Sequence, residues 1–361
     1  MKITACIPAL YRIPLPVVLS DSTHGQVSHF ELITVRIQTD VGIEGIGYTF
    51  TPGTGGSSVY ALLRHDLGEQ LIGFDPRQIE QLWERMWWHV HFVGRGGSVA
   101  FAISAIDIAL WDIKGKVAVE PWWRLLGGHE NRARAYAGGV DLDFTLGHLV
   151  AQGERFLSEG FRAIKMKVGR SNLNEDITRV KRMRELLGEL PLLVDANMGW
   201  RVDEAIYAAR KLAEHDVFWL EEPTIPDDVE GHARIAREGG LALATGENLH
   251  TIYEFQQMIA RGGISFPEPD VATCGGVSAW LKIASLAKAH NLPVTSHGVH
   301  DLSVHLLAAV PNDSFLEVHM FGLEPYMKHS LIIEDGFAIA PDRPGHGVEL
   351  DWERLDEHRI A

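Results

Sequence analysis

The chain has 361 residues, 46% of them apolar, and a formal net charge of −15. That length allows a large core and two domains, while the acidic balance, with no basic stripe to offset it, argues against a nucleic-acid or anionic-membrane surface. Two distant cysteines, Cys6 and Cys274, make neither a disulfide framework nor a zinc site and fit a reducing compartment. Pro8, Arg12, Pro14 and Pro16 interrupt any apolar leader core near the N-terminus, and no run approaches the ~20 apolar residues of a membrane span. The expected location is the cytoplasm.

Residues 1–50 read as strands, with Thr39-Asp40-Val41-Gly42 as a hairpin turn inside ELITVRIQTDVGIEGIGYTF. Residues 57–73 and 76–91 read as helices, the second starting at Asp75-Pro76. Trp87, Trp88, His89 and His91 read as packing. Residues 99–117 place Ala, Ile and Leu on one broad helical face, and Gly127-Gly128 closes an α+β region over 1–128. From about residue 133 the pattern alternates. Strands are expected at 134–139, 162–168, 191–196, 217–222, 241–246, 263–268, 292–296 and 314–318, with seven helical stretches between them. Eight strands and seven helices predict an α/β chain with a TIM-type (β/α)7β barrel over 129–320. The remaining segment, 321–361, is expected to return to the first domain.

Asp195, Glu221 and Glu247 end the apolar runs PLLVDAN, VFWLEEP and LALATGEN, and the steps between them are both 26 residues (195 to 221 to 247). That is the length of one βα unit, so the three carboxylates are expected to converge at the barrel mouth on a divalent cation. Each alone also suits a helix cap; the regular spacing favours the metal. Upstream, Ile164-Lys165-Met166-Lys167-Val168 puts Lys165 and Lys167 on one strand face. Two neighbouring ammonium groups oppose each other's protonation, which brings one toward the neutral form a general base needs. Downstream, Asp270 follows the sixth strand and His297 the seventh; a carboxylate beside an imidazole orients the ring and favours its charged form. Glu317 ends the eighth strand in Phe315-Leu316-Glu317 and completes a ring of polar strand ends.

The ordered set SAIDIALWDIKGK, LLGG, KMKVG, VDAN, EEP, GEN, Asp270 followed by Gly275-Gly276, and Ser296-His297 resembles the mandelate racemase subgroup of the enolase superfamily across nearly the whole chain. The resemblance implies an α+β capping domain completed by the C-terminal tail, and a Mg2+ ion held by Asp195, Glu221 and Glu247. It implies Lys167 as the base on one face of the substrate and His297, oriented by Asp270, as the acid/base on the other. Lys165 is then the contact to the substrate carboxylate, Glu317 a protonated donor to the oxygen that gains charge, and Asn197 a substrate contact. It further implies a small-molecule carboxylate as partner, with neither nucleic acid nor membrane, and homo-oligomers from dimer to octamer.

In this family the loop at 19–29 closes over the substrate, and here Ser22, Thr23, His24 and Gln26 make it polar, with Thr23 and His24 as expected contacts. A second polar loop, 51–57, is expected beside it. A polar lid points to an acid sugar. The expected reaction is Mg2+-dependent dehydration of an aldonate or aldarate: α-proton abstraction, an enediolate, and β-hydroxyl loss to a 2-keto-3-deoxy acid. Racemisation or epimerisation of a 2-hydroxy acid is the alternative, and cycloisomerisation of a sugar-acid lactone ranks below both. Asp270 stands where muconate lactonising enzymes and dipeptide epimerases carry lysine, which disfavours those activities.

Overall fold

The computed structural model describes residues 1–319 and 321–361. Strands β1 (Ile3–Asp21), β2 (Gly25–Thr39) and β3 (Glu44–Thr51) form an antiparallel sheet in that order. The β1–β2 register slips between Pro14 and Leu19, where Pro14 and Pro16 cannot donate ladder hydrogen bonds. Beyond the slip, the hairpin tip at Asp21–Gly25 reaches across to the barrel.

Three helical segments follow. The expected helix at 57–73 is an α-helix over Gly56–Ala61, a wider π turn over Leu62–Leu67 and a tighter 3-10 turn over Gly68–Leu71. This uneven winding keeps Leu63, Leu67 and Leu71, spaced by four, all buried. The next helix, Ile79–Val90, starts later than Asp75-Pro76, because the Asp75 carboxylate closes a local turn on Arg77 (2.6 Å). Within it Trp87 stacks on Trp83, but Trp88 is 62% exposed and so is not the packing residue expected.

The third helix, Ser98–Ala118, is buried around most of its circumference rather than on one face. It lies between the three-stranded sheet and the barrel helix Gly276–Ala289. On its sheet side the approach is backbone to backbone: a Cβ on Gly45 or Gly47 would collide with the carbonyls of Ala109 and Ala105. On its barrel side the buried Asp107 carboxylate accepts from Ser278 N (2.9 Å) and Oγ (2.7 Å).

The barrel comprises β4 (Arg132–Gly138), β5 (Ile164–Lys167), β6 (Leu192–Asp195), β7 (Val217–Glu221), β8 (Leu243–Thr245), β9 (Phe266–Pro267), β10 (Val294–Ser296) and β11 (Asp313–His319). All are parallel, in the order β10-β11-β4-β5-β6-β7-β8-β9, with β9 beside β10 to close the ring and a helix between each consecutive pair. β9 is only two residues long, against the six expected, because Pro267 and Pro269 offer no N–H. Tyr136, Ala163, Leu193, Trp219, Ala244 and Phe315 pack inside the barrel. This plug makes the barrel a filled core and leaves only the C-terminal strand ends for polar groups.

The tail touches both parts of the molecule. β12 (Ile332–Glu334) pairs with β13 (Phe337–Ile339), which pairs antiparallel with β4. The last residues return to the sheet, where Leu10 N donates to Ala361 O (3.0 Å), Ile360 N to Leu10 O (2.8 Å) and Arg12 N to His358 O (2.9 Å). Among the described residues no helix is long and apolar enough to cross a membrane.

Candidate active site

The strands feeding the barrel mouth are short and largely buried, so their ends are the first positions where charge reaches an open space. Asp195 ends β6, Glu221 ends β7, and Glu247 lies two residues past β8. One carboxylate oxygen from each lies within 4.8 Å of the others. Asp195 and Glu221 are wholly buried. A buried trio of hard oxygen donors suits Mg2+ by charge and ligand type.

Lys165 and Lys167 point together into this trio, as alternation on β5 requires. Lys165 Nζ lies 2.5 Å from Glu221 Oε1, 2.7 Å from Glu317 Oε1 and 3.6 Å from Asp195 Oδ2. Lys167 Nζ lies 2.5 Å from Asp195 Oδ2. The expected drift of one lysine toward neutrality is not what the chain's own charges produce. Burial lowers both pKa values, and each ammonium opposes the other at Lys167, but the facing carboxylates outweigh this and hold both lysines above the usual value.

The same balance acts on Glu317, expected as a protonated donor. Burial favours its neutral form, yet Lys165 and the neighbouring His319 and His297 hold it well below the usual glutamate range. Its Oε2 accepts from Gly298 N (3.1 Å). Glu221 is pushed the other way, to about 8, because burial and the Asp195 and Glu317 charges outweigh Lys165.

His297 follows β10 and is held at both nitrogens. Nδ1 meets Asp270 Oδ2 at 3.0 Å and Nε2 meets Glu247 Oε2 at 3.1 Å. Burial lowers its pKa, but Glu247, Glu317 and Asp270 together raise it to about 10, so the ring is a charged acid at neutral pH. Asp270 is itself fixed by Ala272 N (2.7 Å).

Above these groups lies a cavity of about 110 Å3 between barrel and hairpin tip. Its wall includes Lys167, Asn197, Glu247, Asp270 and His297 from the barrel, and Asp21, His24, Val27, Phe50 and Pro52 from the sheet side. Lys165, Asp195, Glu221 and Glu317 lie beneath it. A larger open cleft of about 510 Å3, lined by the tail, contains none of these residues.

Asn197 adopts a left-handed conformation (φ 38°) just past β6, and its buried Oδ1 has no partner. His24 faces the cavity with Nδ1 bonded to Asp21 Oδ2 (3.0 Å). Thr23 does not line it. Its hydroxyl donates to the Asn197 carbonyl, and Ser22 Oγ donates to Ala196 O (2.5 Å), so Ser22 and Thr23 latch the hairpin tip onto the end of β6. Thr23 was expected to touch substrate, and its hydroxyl faces the backbone just past β6 instead. Gly199 leaves room for the latch, since a Cβ there would sit 2.8 Å from Ser22 Oγ.

Four groups escaped the sequence reading. Asp141 accepts from Lys167 N (3.0 Å), Gln152 Nε2 (2.6 Å) and Arg179 (3.3 Å), so it fixes the backbone of the lysine strand. Glu222 and Glu268 are buried carboxyls pushed well up, first by burial and then by neighbouring carboxylates. His319, two residues beyond Glu317 on β11, lines the cavity. The signal for His319 was strand alternation from Glu317, and the signal for Glu222 was its place in the EEP phrase.

A capped barrel whose mouth gathers an acid trio, two lysines and a carboxylate-bound histidine is the architecture of an enolase-superfamily enzyme. Residues 3–127 match the model of the mandelate racemase / muconate lactonizing enzyme N-terminal domain, and residues 148–354 that of the enolase C-terminal domain-like fold. The chain belongs to the mandelate racemase / muconate lactonizing enzyme family. It is 55% identical over 347 residues to a 3,6-anhydro-alpha-L-galactonate cycloisomerase of Streptomyces coelicolor, covering 96% of each chain. It is 37% identical to an L-talarate/galactarate dehydratase of Salmonella typhimurium, over 90% of this chain and 83% of that one. Among solved structures, a racemase from Streptomyces coelicolor with bound magnesium superposes with a TM-score of 0.97 at 53% identity, covering 99% of this chain and all of that one. An L-talarate dehydratase from Polaromonas, complexed with Mg and L-glucarate, superposes with a TM-score of 0.94 at 32% identity, covering 100% and 98%.

Proposed function

We propose that this enzyme is a Mg2+-dependent cycloisomerase that opens the ring of an anhydro-aldonate such as 3,6-anhydro-L-galactonate. The observation that carries this reading is the wall of the cavity away from the acid trio. It offers Val27, Phe50, Pro52 and Phe101, together with the Asp21–His24 pair and His250, and among the described residues no arginine or lysine. An aldarate would bring a second carboxylate to that wall, where burying it without a cation is costly. An anhydro ring brings C–H edges and a few hydroxyls instead. The 55% identical relative carries this activity by name.

Asp195, Glu221 and Glu247 would hold Mg2+, which when bound supplies electrostatic stabilisation to the substrate carboxylate as charge builds there. Lys165, pressed between Glu221 and Glu317, adds a fixed positive charge at the same end. Lys167 and His297 serve as the opposed proton-transfer groups, three strands apart around the ring. The Asp195 charge that keeps the proton on Lys167 would be offset by a cation held by the trio, and Lys167 in its neutral form would then remove the proton on C2, leaving an enediolate, with the charged His297 as the acid arm. Electrons then move to form C2=C3 as the C3–O bond breaks. The oxygen stays on C6 and takes a proton from the acid arm. The resulting enol becomes the 2-keto-3-deoxy acid by gaining a proton at C3 and losing one from the C2 oxygen. No water is lost, so the product is an isomer of the substrate. Asn197, with its unpartnered buried oxygen, is positioned to accept from a substrate hydroxyl.

Dehydration of an aldonate is the second reading, favoured by Asp21 and His24, which can hydrogen-bond an open-chain polyol. Incubation of the Mg2+-loaded enzyme with 3,6-anhydro-L-galactonate, L-talarate, galactarate, arabinonate and L-rhamnonate separates the two. Keto acid of unchanged mass from the anhydro acid supports ring opening. Keto acid from the open-chain acids alone, one water lighter, refutes it.

A further inference from the structure

His319 carries a second polar function at the cavity wall. It stands two residues past Glu317 on β11, so the two side chains share a face. Its ring stacks on Phe321 (4.5 Å, 17°) and meets His297 edge-on (5.6 Å). A nitrogen of His319 lies within 4.8 Å of the ligand atoms of both His297 and Glu317. The backbone N–H of Phe321 donates to His319 Nδ1 (3.0 Å). An amide N–H can only donate, so Nδ1 accepts and the neutral ring carries its proton on Nε2. Among the described residues Nε2 has no hydrogen-bond partner, yet it is not sealed from solvent. Nε2 is the ring nitrogen that the Phe321 turn leaves free, on a side chain that lines the cavity.

Two imidazoles and a carboxylate this close could suggest a transition-metal site. The tautomer argues against it, because a protonated Nε2 has no lone pair to give. Burial, together with His297 and the two lysines, lowers the His319 pKa despite Glu317, so the ring stays neutral. A neutral imidazole is too weak an acid to surrender this proton outright, but it is a good fixed donor.

We propose that His319 is the specificity-determining donor to the leaving oxygen, its Nε2–H hydrogen-bonding the oxygen on the carbon β to the substrate carboxylate as the C–O bond breaks. This rests on the ring-opening reading above. With the carboxylate against Lys165, and the α-carbon between Lys167 and His297, a two-residue step along β11 from Glu317 carries the donor toward the rim, past the α-carbon to the β-position. His319 stabilises charge growing on that oxygen, while the proton that ends there comes from the charged acid arm. His319 therefore acts on C–O cleavage and not on removal of the α-proton.

The test follows both events in one NMR experiment in D2O, with 3,6-anhydro-L-galactonate and the Mg2+-loaded enzyme. It scores keto-acid formation and total α-proton loss, meaning deuterium in recovered substrate plus product. In H319L keto acid should form about 100-fold more slowly, the effect of deleting one preorganised donor, with total α-proton loss within about threefold of wild type. In H319Q, which restores an N–H, at least tenfold of the lost elimination should return. Should H319L melt early, H319N, too short to reach the same point, should show the same split. Equal loss of exchange and elimination, or no loss of either, overturns the role while leaving the ring-opening reading intact. A wild-type enzyme inert toward the anhydro acid overturns both.

Discussion

Asp107 makes the junction between cap and barrel pH-sensitive, with a sign that follows from its burial. The side chain is wholly buried and accepts two hydrogen bonds from Ser278, but desolvation prevails over them and pushes its pKa up to about 7. In the unfolded chain an aspartate titrates near ~3.9. The folded state therefore binds the proton more tightly. Stability from this group is fully present below pH ~4 and is lost as pH rises through about 7. Between pH ~5 and ~8 the loss is roughly 2–3 kcal/mol.

Asp107→Asn removes the titration and keeps an oxygen to accept from Ser278 N. Thermal unfolding of both proteins at the two pH values gives the comparison. The wild type should lose several degrees more than the variant on going to the higher pH. Parallel losses in the two proteins would show that Asp107 does not ionise within the folded junction, and the reasoning from burial would fall.

Other outcomes follow from the site. Lys167→Ala and His297→Asn should each slow keto-acid formation by ~10²–10⁴-fold; rates within tenfold of wild type, measured by NMR, would remove them from proton transfer. Gly199→Ala places a Cβ 2.8 Å from Ser22 Oγ and should lift the hairpin tip from Ala196 and Asn197. Its expected signature is a raised KM and faster proteolytic cutting within 14–29, with an unchanged melting temperature; unaltered kinetics and cutting would mean that the latch is not what closes the cavity. Chelation should abolish turnover and lower the melting temperature, and Mg2+ should restore both, because a cation held by the acid trio would bind only the folded chain. Full activity after verified metal removal would refute that.

Much of the site was legible because strands translate spacing into position. The equal steps among Asp195, Glu221 and Glu247 correspond to one strand, one helix and two loops, and alternation alone places Lys165 and Lys167 together. Protonation states were not legible. Lys165 presses on Glu317 and pulls its pKa down, a through-space contact between β5 and β11 with no trace in local pattern. The fates of Thr23 and His24 were equally hidden, since they follow from contacts between the hairpin tip and the end of β6, far away in sequence. The helix Ser98–Ala118 looked one-sided because a sequence shows periodicity but not how many layers surround an element.

The hydrogen bonds from Leu10 to Ile360 and Ala361 have a consequence for how the molecule comes into being. The outer edge of β1 finds this partner only far downstream, beyond every strand of the barrel, so this sheet is synthesised well before that edge can be covered. Until then its edge is bare, and that edge is the place where a nascent chain would meet a neighbour or a chaperone.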